Sequence, residues 1–174
     1  MLRSVLLGGL GAVAGTCVAF AHITLETQQA PVGSGYKAVM RVPHGCNGSA
    51  TTAIRVRIPE GLLGVKPMPK TGWKLDVTTG KYSKTYLLRG AKVNEGVTEV
   101  SWSGGNLSNQ YYDEFVFTGV ISDDLGPGQS VYFPVVQECE KGTERWIDIP
   151  APGSGDQSNS STPAPSLKLL PKAQ

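Results

Sequence analysis

Two histidines, three cysteines and no stretch that sustains a helical period are the notable scarcities of this 174-residue chain, and each one excludes something. With only His22 and His44, a three-histidine zinc site cannot be assembled. No nucleophile elbow, HExxH, phosphate-binding loop or dinucleotide fingerprint occurs, which removes the common hydrolase, metalloprotease and nucleotide-dependent classes. The adjacent carboxylates Asp113 and Glu114 point to opposite faces of any strand that holds them, so they do not form an acid/base pair. Sixteen basic against fourteen acidic side chains give no electrostatic case for nucleic acid or for an anionic membrane surface. No internal repeat is present.

The first twenty-one residues differ from the rest. One early charge, Arg3, precedes an apolar and small-residue run from Val5 to Phe20, and the run closes on Ala19-Phe20-Ala21. This is the pattern of a secretory signal peptide over residues 1–21, with cleavage ahead of His22. The run is short for a membrane span and ends in a processing site, so an uncleaved anchor is the weaker reading. A lipoprotein signal would instead cut before Cys17 and leave His22 internal, but Ala14-Gly15-Thr16 fits that signal poorly. After cleavage the loss of Arg3 leaves fifteen basic side chains against fourteen acidic, and the loss of Cys17 leaves two cysteines.

From residue 22 to about 150 the chain has one domain's worth of sequence, and its apolar residues recur with period two. Tyr36, Ala38, Met40 and Val42 share one strand face; Ile54, Val56 and Ile58 share another, with Arg55 and Arg57 outward. Trp73, Leu75 and Val77 repeat the pattern, followed by Val100 with Trp102, then Phe115, Phe117 and Ile121, then Val131 to Val136 and the segment around Ile147 and Ile149. Gly- and Pro-rich punctuation separates them. Short strands at such intervals predict an all-β, antiparallel β-sandwich. Residues 151–174 change abruptly to Pro, Ser, Gly and polar residues, with Leu167, Leu169 and Leu170 as the one apolar cluster, and are expected to be a disordered tail without a membrane anchor.

Cleavage ahead of His22 would create a chelator that the precursor lacks. An amino-terminal histidine offers its free amine and its ring Nδ1 to one cation, and both nitrogens suit copper. His44, in Val42-Pro43-His44-Gly45-Cys46, supplies the one further imidazole. The plain alternatives are a solvated ring at the start of a strand for His22 and an exposed loop imidazole for His44. Cys46 and Cys139 are read first as a disulfide, because an oxidising compartment removes free thiols; copper ligation by them ranks second. The bridge would close a loop of more than ninety residues, contribute roughly 4 kcal/mol, and anchor the His44 loop. Trp73 and Trp102 fall in phase with apolar neighbours and read as core. Trp146 stands opposite the face set by Ile147 and Ile149, so it either covers a surface patch or shields a metal site from water.

Ala21-His22-Ile23-Thr24, Gly48-Ser49-Ala50-Thr51-Thr52, Arg55-Val56-Arg57-Ile58-Pro59-Glu60-Gly61, Gly72-Trp73-Lys74, Val100-Ser101-Trp102-Ser103-Gly104-Gly105 and Tyr112-Asp113-Glu114-Phe115 together resemble the YcnI-like family of exported bacterial copper-binding proteins. The resemblance implies an immunoglobulin-like or cupredoxin-like sandwich and Cu(II) held by the mature amino-terminal histidine, with a tryptophan close by. His22 matches the terminal ligand and Trp146 the nearby tryptophan. Gram-positive members complete a single-histidine brace with a glutamate after a Val-Pro pair, whereas here His44 follows Val42-Pro43. His44 in that role would make a two-histidine brace. The His-Gly-Cys loop with a distant cysteine resembles the proteobacterial branch, which implies a periplasmic location.

The resulting expectation is a periplasmic copper carrier or homeostasis factor without turnover, its partners being the copper ion and a further periplasmic chaperone or a copper transporter in the membrane. Two rivals stand beside it. A copper oxidase or monooxygenase would need an exposed aromatic platform, for which Tyr111 and Tyr112 are the adjacent aromatics, with Tyr112 read as part of a strand. A metal-free adhesion or interaction sandwich is the third.

Overall fold

Alternation sets the central strand of the first sheet. In Gly35–Val42 the side chains of Tyr36, Ala38, Met40 and Val42 are buried while Lys37 and Arg41 face solvent, as period-two patterning requires. This computed structural model describes residues 22–151 and 160–173, and among them there are twelve strands and no helix. They are β1 (Thr24–Leu25), β2 (Gln29–Pro31), β3 (Gly35–Val42), β4 (Thr51–Arg57), β5 (Leu62–Pro67), β6 (Lys74–Leu88), β7 (Ala91–Leu107), β8 (Asp113–Ile121), β9 (Ser130–Tyr132), β10 (Val135–Cys139), β11 (Thr143–Trp146) and β12 (Ser166–Leu170).

One sheet runs β1-β3-β8-β5 and a second runs β11-β10-β4-β7-β6. Every pairing within these two sheets is antiparallel. Their facing sides meet in a core that includes Met40, Ile54, Trp102, Phe115, Phe117 and Phe133. The rings pack edge to face, Trp102 on Phe115 at 5.4 Å and Trp73 on Phe115 at 5.0 Å. Trp102 Nε1 donates to the Met68 carbonyl at 3.0 Å, so its buried polar atom is satisfied. The result is the single-domain antiparallel sandwich that the alternation predicts.

A third sheet, β2-β12-β9, has as its middle strand a segment expected to be disordered. β12 pairs parallel with β2 and antiparallel with β9, and it buries Leu167 and Leu169 completely while Lys168 between them faces out. The apolar cluster of the tail is therefore a strand, and two fully buried leucines outweigh the ordering entropy of a short Pro-flanked segment. The domain extends past residue 150 accordingly. Residues 152–159 lie outside the described residues, as do residues 1–21 with the expected signal peptide, its cleavage site and Cys17.

Two further expectations are corrected. Val77, placed inward with Trp73 and Leu75, is 44% exposed, because β6 is the edge strand of its sheet and this stretch has no facing layer. In β11 the phase is inverted: Trp146 is 6% exposed and belongs to the core, while Ile147 and Ile149 are 41% and 52% exposed. The strand stops at Trp146, so the alternation drawn through the two isoleucines does not continue beyond it.

Candidate metal centre

The loop carrying His44 is tied down at several points. β3 ends at Val42, and the chain then makes a two-residue turn at Asn47-Gly48, whose φ values of 47° and 82° are both left-handed. Asn followed by Gly is the pair that tolerates this geometry. Cys46 N donates to Ser49 O at 3.2 Å and Ser49 N to Cys46 O at 2.9 Å, closing the turn from both sides. Gly45 is required beside it, since a Cβ there would stand 1.8 Å from the Ser49 carbonyl oxygen. Gly45 N donates to Asn109 Oδ1 at 3.2 Å, which joins the loop to the β7–β8 connection. The disulfide Cys46–Cys139, with a Cα separation of 5.8 Å, pins it to the end of β10. The disulfide reading of the two cysteines thus holds.

The residue that links this loop to His22 was not singled out in the sequence. Gln137 on β10 is fully buried. Its Nε2 donates to the His44 carbonyl at 2.7 Å and to Thr51 Oγ1 at 2.8 Å, and its Oε1 accepts from Trp146 Nε1 at 3.1 Å. A buried amide is stable only with its donors and acceptor engaged, and here they are engaged by the two elements that flank the histidines. The Trp146 ring in turn lies 5.5 Å from the His22 ring, at 58°. One path therefore runs from the His44 backbone through Gln137 and Trp146 to His22. The signal in the sequence was Gln137 itself, a polar residue two positions after Val135 on the inward face.

His22 begins the described chain just ahead of β1, with Nε2 of its ring shut away from solvent. It lines a small cavity of about 130 Å³ with Thr24 and Gln28 on one side and Pro163 to Ser166 on the other. That second wall is held by Asp148, which accepts from Ser160 Oγ at 2.6 Å and Thr162 Oγ1 at 2.7 Å. Backbone bonds from Asp148 N to Thr162 O at 3.1 Å and from Ala164 N to Asp148 O at 2.9 Å complete the tie. The Ser160 hydroxyl, then that of Thr162, holds the Asp148 carboxyl below its ordinary pKa.

Nε2 of the His22 ring is buried, and a chelate with the α-nitrogen of the same residue would use Nδ1. Nδ1 of His44 faces the Gly45 carbonyl at 2.5 Å, so Nε2 is the nitrogen on which a metal would bind. Among the described residues no three His, Cys, Asp or Glu side chains come together as a metal cluster. A site here has to draw on the backbone amine as well as the rings. Trp146 lies beside His22, and it does so as a core residue rather than a surface one. Tyr111 and Tyr112 are exposed and precede β8 in the loop that Asn109 ties to Gly45, so Tyr112 is not part of a strand.

Comparison with known proteins gives two results. The sequence pattern of a family described as a domain of unknown function, DUF1775, matches residues 22–169, which takes in β12 up to Leu169. Among solved structures, the chain is similar to an uncharacterized protein from Nocardia farcinica whose crystal structure reveals an immunoglobulin-like fold. The TM-score is 0.61 at 23% identity, over 86% of this chain and 98% of that one. This likeness establishes the sandwich as immunoglobulin-like. Against the curated proteins the chain finds no match.

Proposed function

The chain belongs to DUF1775, the YcnI-like family, and from that membership together with the two linked histidines we propose that it is an exported, periplasmic Cu(II)-binding protein that carries copper as cargo. The ligands are the α-amine and Nδ1 of His22, freed by cleavage after Ala21, with Nε2 of His44 as the third nitrogen. Three nitrogens of this kind suit Cu(II). The observation that carries the reading is the Gln137–Trp146 connection, which fixes the His44 loop and the face of the His22 ring in one rigid unit. Rigid support of this sort lowers the ordering cost of binding a metal. Amine and imidazole must be deprotonated to bind, so affinity falls on acidification.

The test uses protein whose first residue is established as His22 by mass determination. It should take up about one equivalent of Cu(II), and a single alanine placed ahead of His22 should weaken binding by about a hundredfold or more, since the chelate ring is lost. His44→Ala should change the Cu(II) spectrum and weaken binding less. Unchanged affinity in the extended protein overturns the brace.

One observation favours a second reading. Tyr111 and Tyr112 are exposed in the loop that touches the His44 loop, which is where a copper oxidase would present an aromatic platform to substrate. Hydrogen peroxide formation by the reduced copper form would favour that enzyme, and its absence the carrier.

A further inference from the structure

Away from the histidines, the register of the first sheet sets two lysines on either side of a threonine. Thr118 on β8 pairs with Lys37 on β3 and with Lys66 on β5, so the three side chains stand in a row across the solvent face. At ordinary strand spacing the two lysine Cα atoms are roughly 10 Å apart. They line a groove of about 590 Å³ whose remaining wall includes Leu88 and Arg89 from the tip of the β6–β7 hairpin. No acidic residue lines it. Among the described residues Lys37, Lys66 and Arg89 make no ion pair, so their charges face the groove uncompensated.

The backbone at the tip supplies a second, independent observation. Leu88 pairs with Ala91, and the two residues between them, Arg89 and Gly90, have φ values of 51° and 84°. This is the same left-handed pair of positions that Asn47-Gly48 occupies, but with arginine where asparagine is favoured. An ordinary side chain in that region costs free energy, and such departures concentrate where the side chain itself is used. The tip is also seated: Leu88 lies against Gly64, where a Cβ would be 3.1 Å from its Cδ2, so Arg89 is held at the rim of the groove.

We propose that this groove is an anion site, in which Lys37, Lys66 and Arg89 bind a phosphate-type group carrying more than one negative charge. Three cations around one open space match charge spread over several oxygens, and the guanidinium fork matches a phosphate edge. The volume suits a small ligand. Such a group reaches the groove either as a free phosphate compound or as the headgroup of an anionic lipid. The site is independent of copper.

The experiment takes the processed protein and three variants, Arg89→Asn, the double variant Lys37→Gln with Lys66→Gln, and Lys168→Gln as a control away from the groove. Each is titrated with inorganic pyrophosphate by calorimetry and sedimented with phosphatidylcholine vesicles, with and without phosphatidylglycerol. Arg89→Asn should melt higher than the parent, because asparagine suits the turn, and yet bind about tenfold more weakly, the loss of one charged contact. The double variant should bind more weakly still, and Lys168→Gln should match the parent. Binding of pyrophosphate identifies a free anion, and binding only of phosphatidylglycerol vesicles identifies a headgroup. Failure of the parent to bind either probe overturns the proposal, as does binding by Arg89→Asn and the double variant equal to the parent's.

Discussion

Two turns in this molecule make the same demand on the backbone and answer it differently. Asn47-Gly48 meets two left-handed positions with the residues that suit them, in a loop further held by a disulfide, by Gln137 and by Asn109. Arg89-Gly90 meets them with arginine, at the end of a long hairpin whose strands are largely exposed. That hairpin is secured by its own ladder, by Leu88 against Gly64, and by Glu60, whose Oε1 accepts from Ser83 N at 2.9 Å, Ser83 Oγ at 2.6 Å and Tyr86 Oη at 3.0 Å. The difference teaches where this chain places its stability. Around the histidines every local choice agrees with the fold, so the loop is held rigid by redundancy. At the hairpin tip one choice is set against the local preference, and the surroundings keep it in place.

That contrast can be tested in order of effect. Ending the chain after residue 159 removes β12, and with it two fully buried leucines at about 2–5 kcal/mol each. This is comparable with the whole stability of a domain, so the truncated protein should lack a cooperative melting transition. Replacing Cys46 and Cys139 by serine should cost about 4 kcal/mol in urea unfolding, by opening a loop of 93 residues' separation. Gln137→Ala should cost about 2–4 kcal/mol, because it leaves the Trp146 indole and the His44 carbonyl without this buried partner, and should shift tryptophan emission even without metal. A fully retained melting temperature in either of these last two proteins would remove the case for redundancy around the histidines.

The smallest effect belongs to the hairpin. Hydrogen bonding from the Ser83 side chain first, and from Tyr86 and two backbone amides besides, lowers the Glu60 pKa, while burial acts the other way. Stability from a carboxylate lowered in this way is present above the ordinary carboxylate range and is lost as pH falls through the depressed value. Tyr86 is the mirror case. Burial, and then its bond to Glu60, pushes it up to about 12, so its contribution is present below the ordinary tyrosine value and is lost as pH rises through about 12. Glu60→Gln should therefore flatten the acid limb and only soften the alkaline one, because the burial of Tyr86 remains. Because Glu60 is solvent-exposed, the change near neutral pH should be less than about 1 kcal/mol in urea unfolding.

Much of the fold was legible because it is written in single strands. The faces of Tyr36 to Val42, Ile54 to Ile58 and Phe115 to Ile121 are buried as alternation requires, and two cysteines in a chain read as exported pointed to their bridge. The misreadings share one cause, which is that a partner decides the outcome. Trp146 is inward because it sits across from Val135 and its indole meets Gln137, and neither contact is visible from Ile147 and Ile149. Leu167-Lys168-Leu169 carried the strand pattern in plain view, but its Pro- and Ser-rich surroundings read as solvated, and the edges it fills belong to β2 and β9, far away in sequence. Val77 had the right period with no layer to face. As for the candidate site, both histidines and the tryptophan were singled out in the sequence as candidates, whereas the glutamine between them was hidden as one polar letter at the end of an apolar run.

The parallel pairing of β12 with β2 has a consequence for how the molecule is made. A polypeptide emerges from the ribosome amino end first, and the wall beside His22 is contributed by Pro163 to Ser166, far later in the chain. The neighbourhood of His22 is thus completed only after every strand of the two large sheets has been made, and no fragment that stops short of β12 can rehearse it.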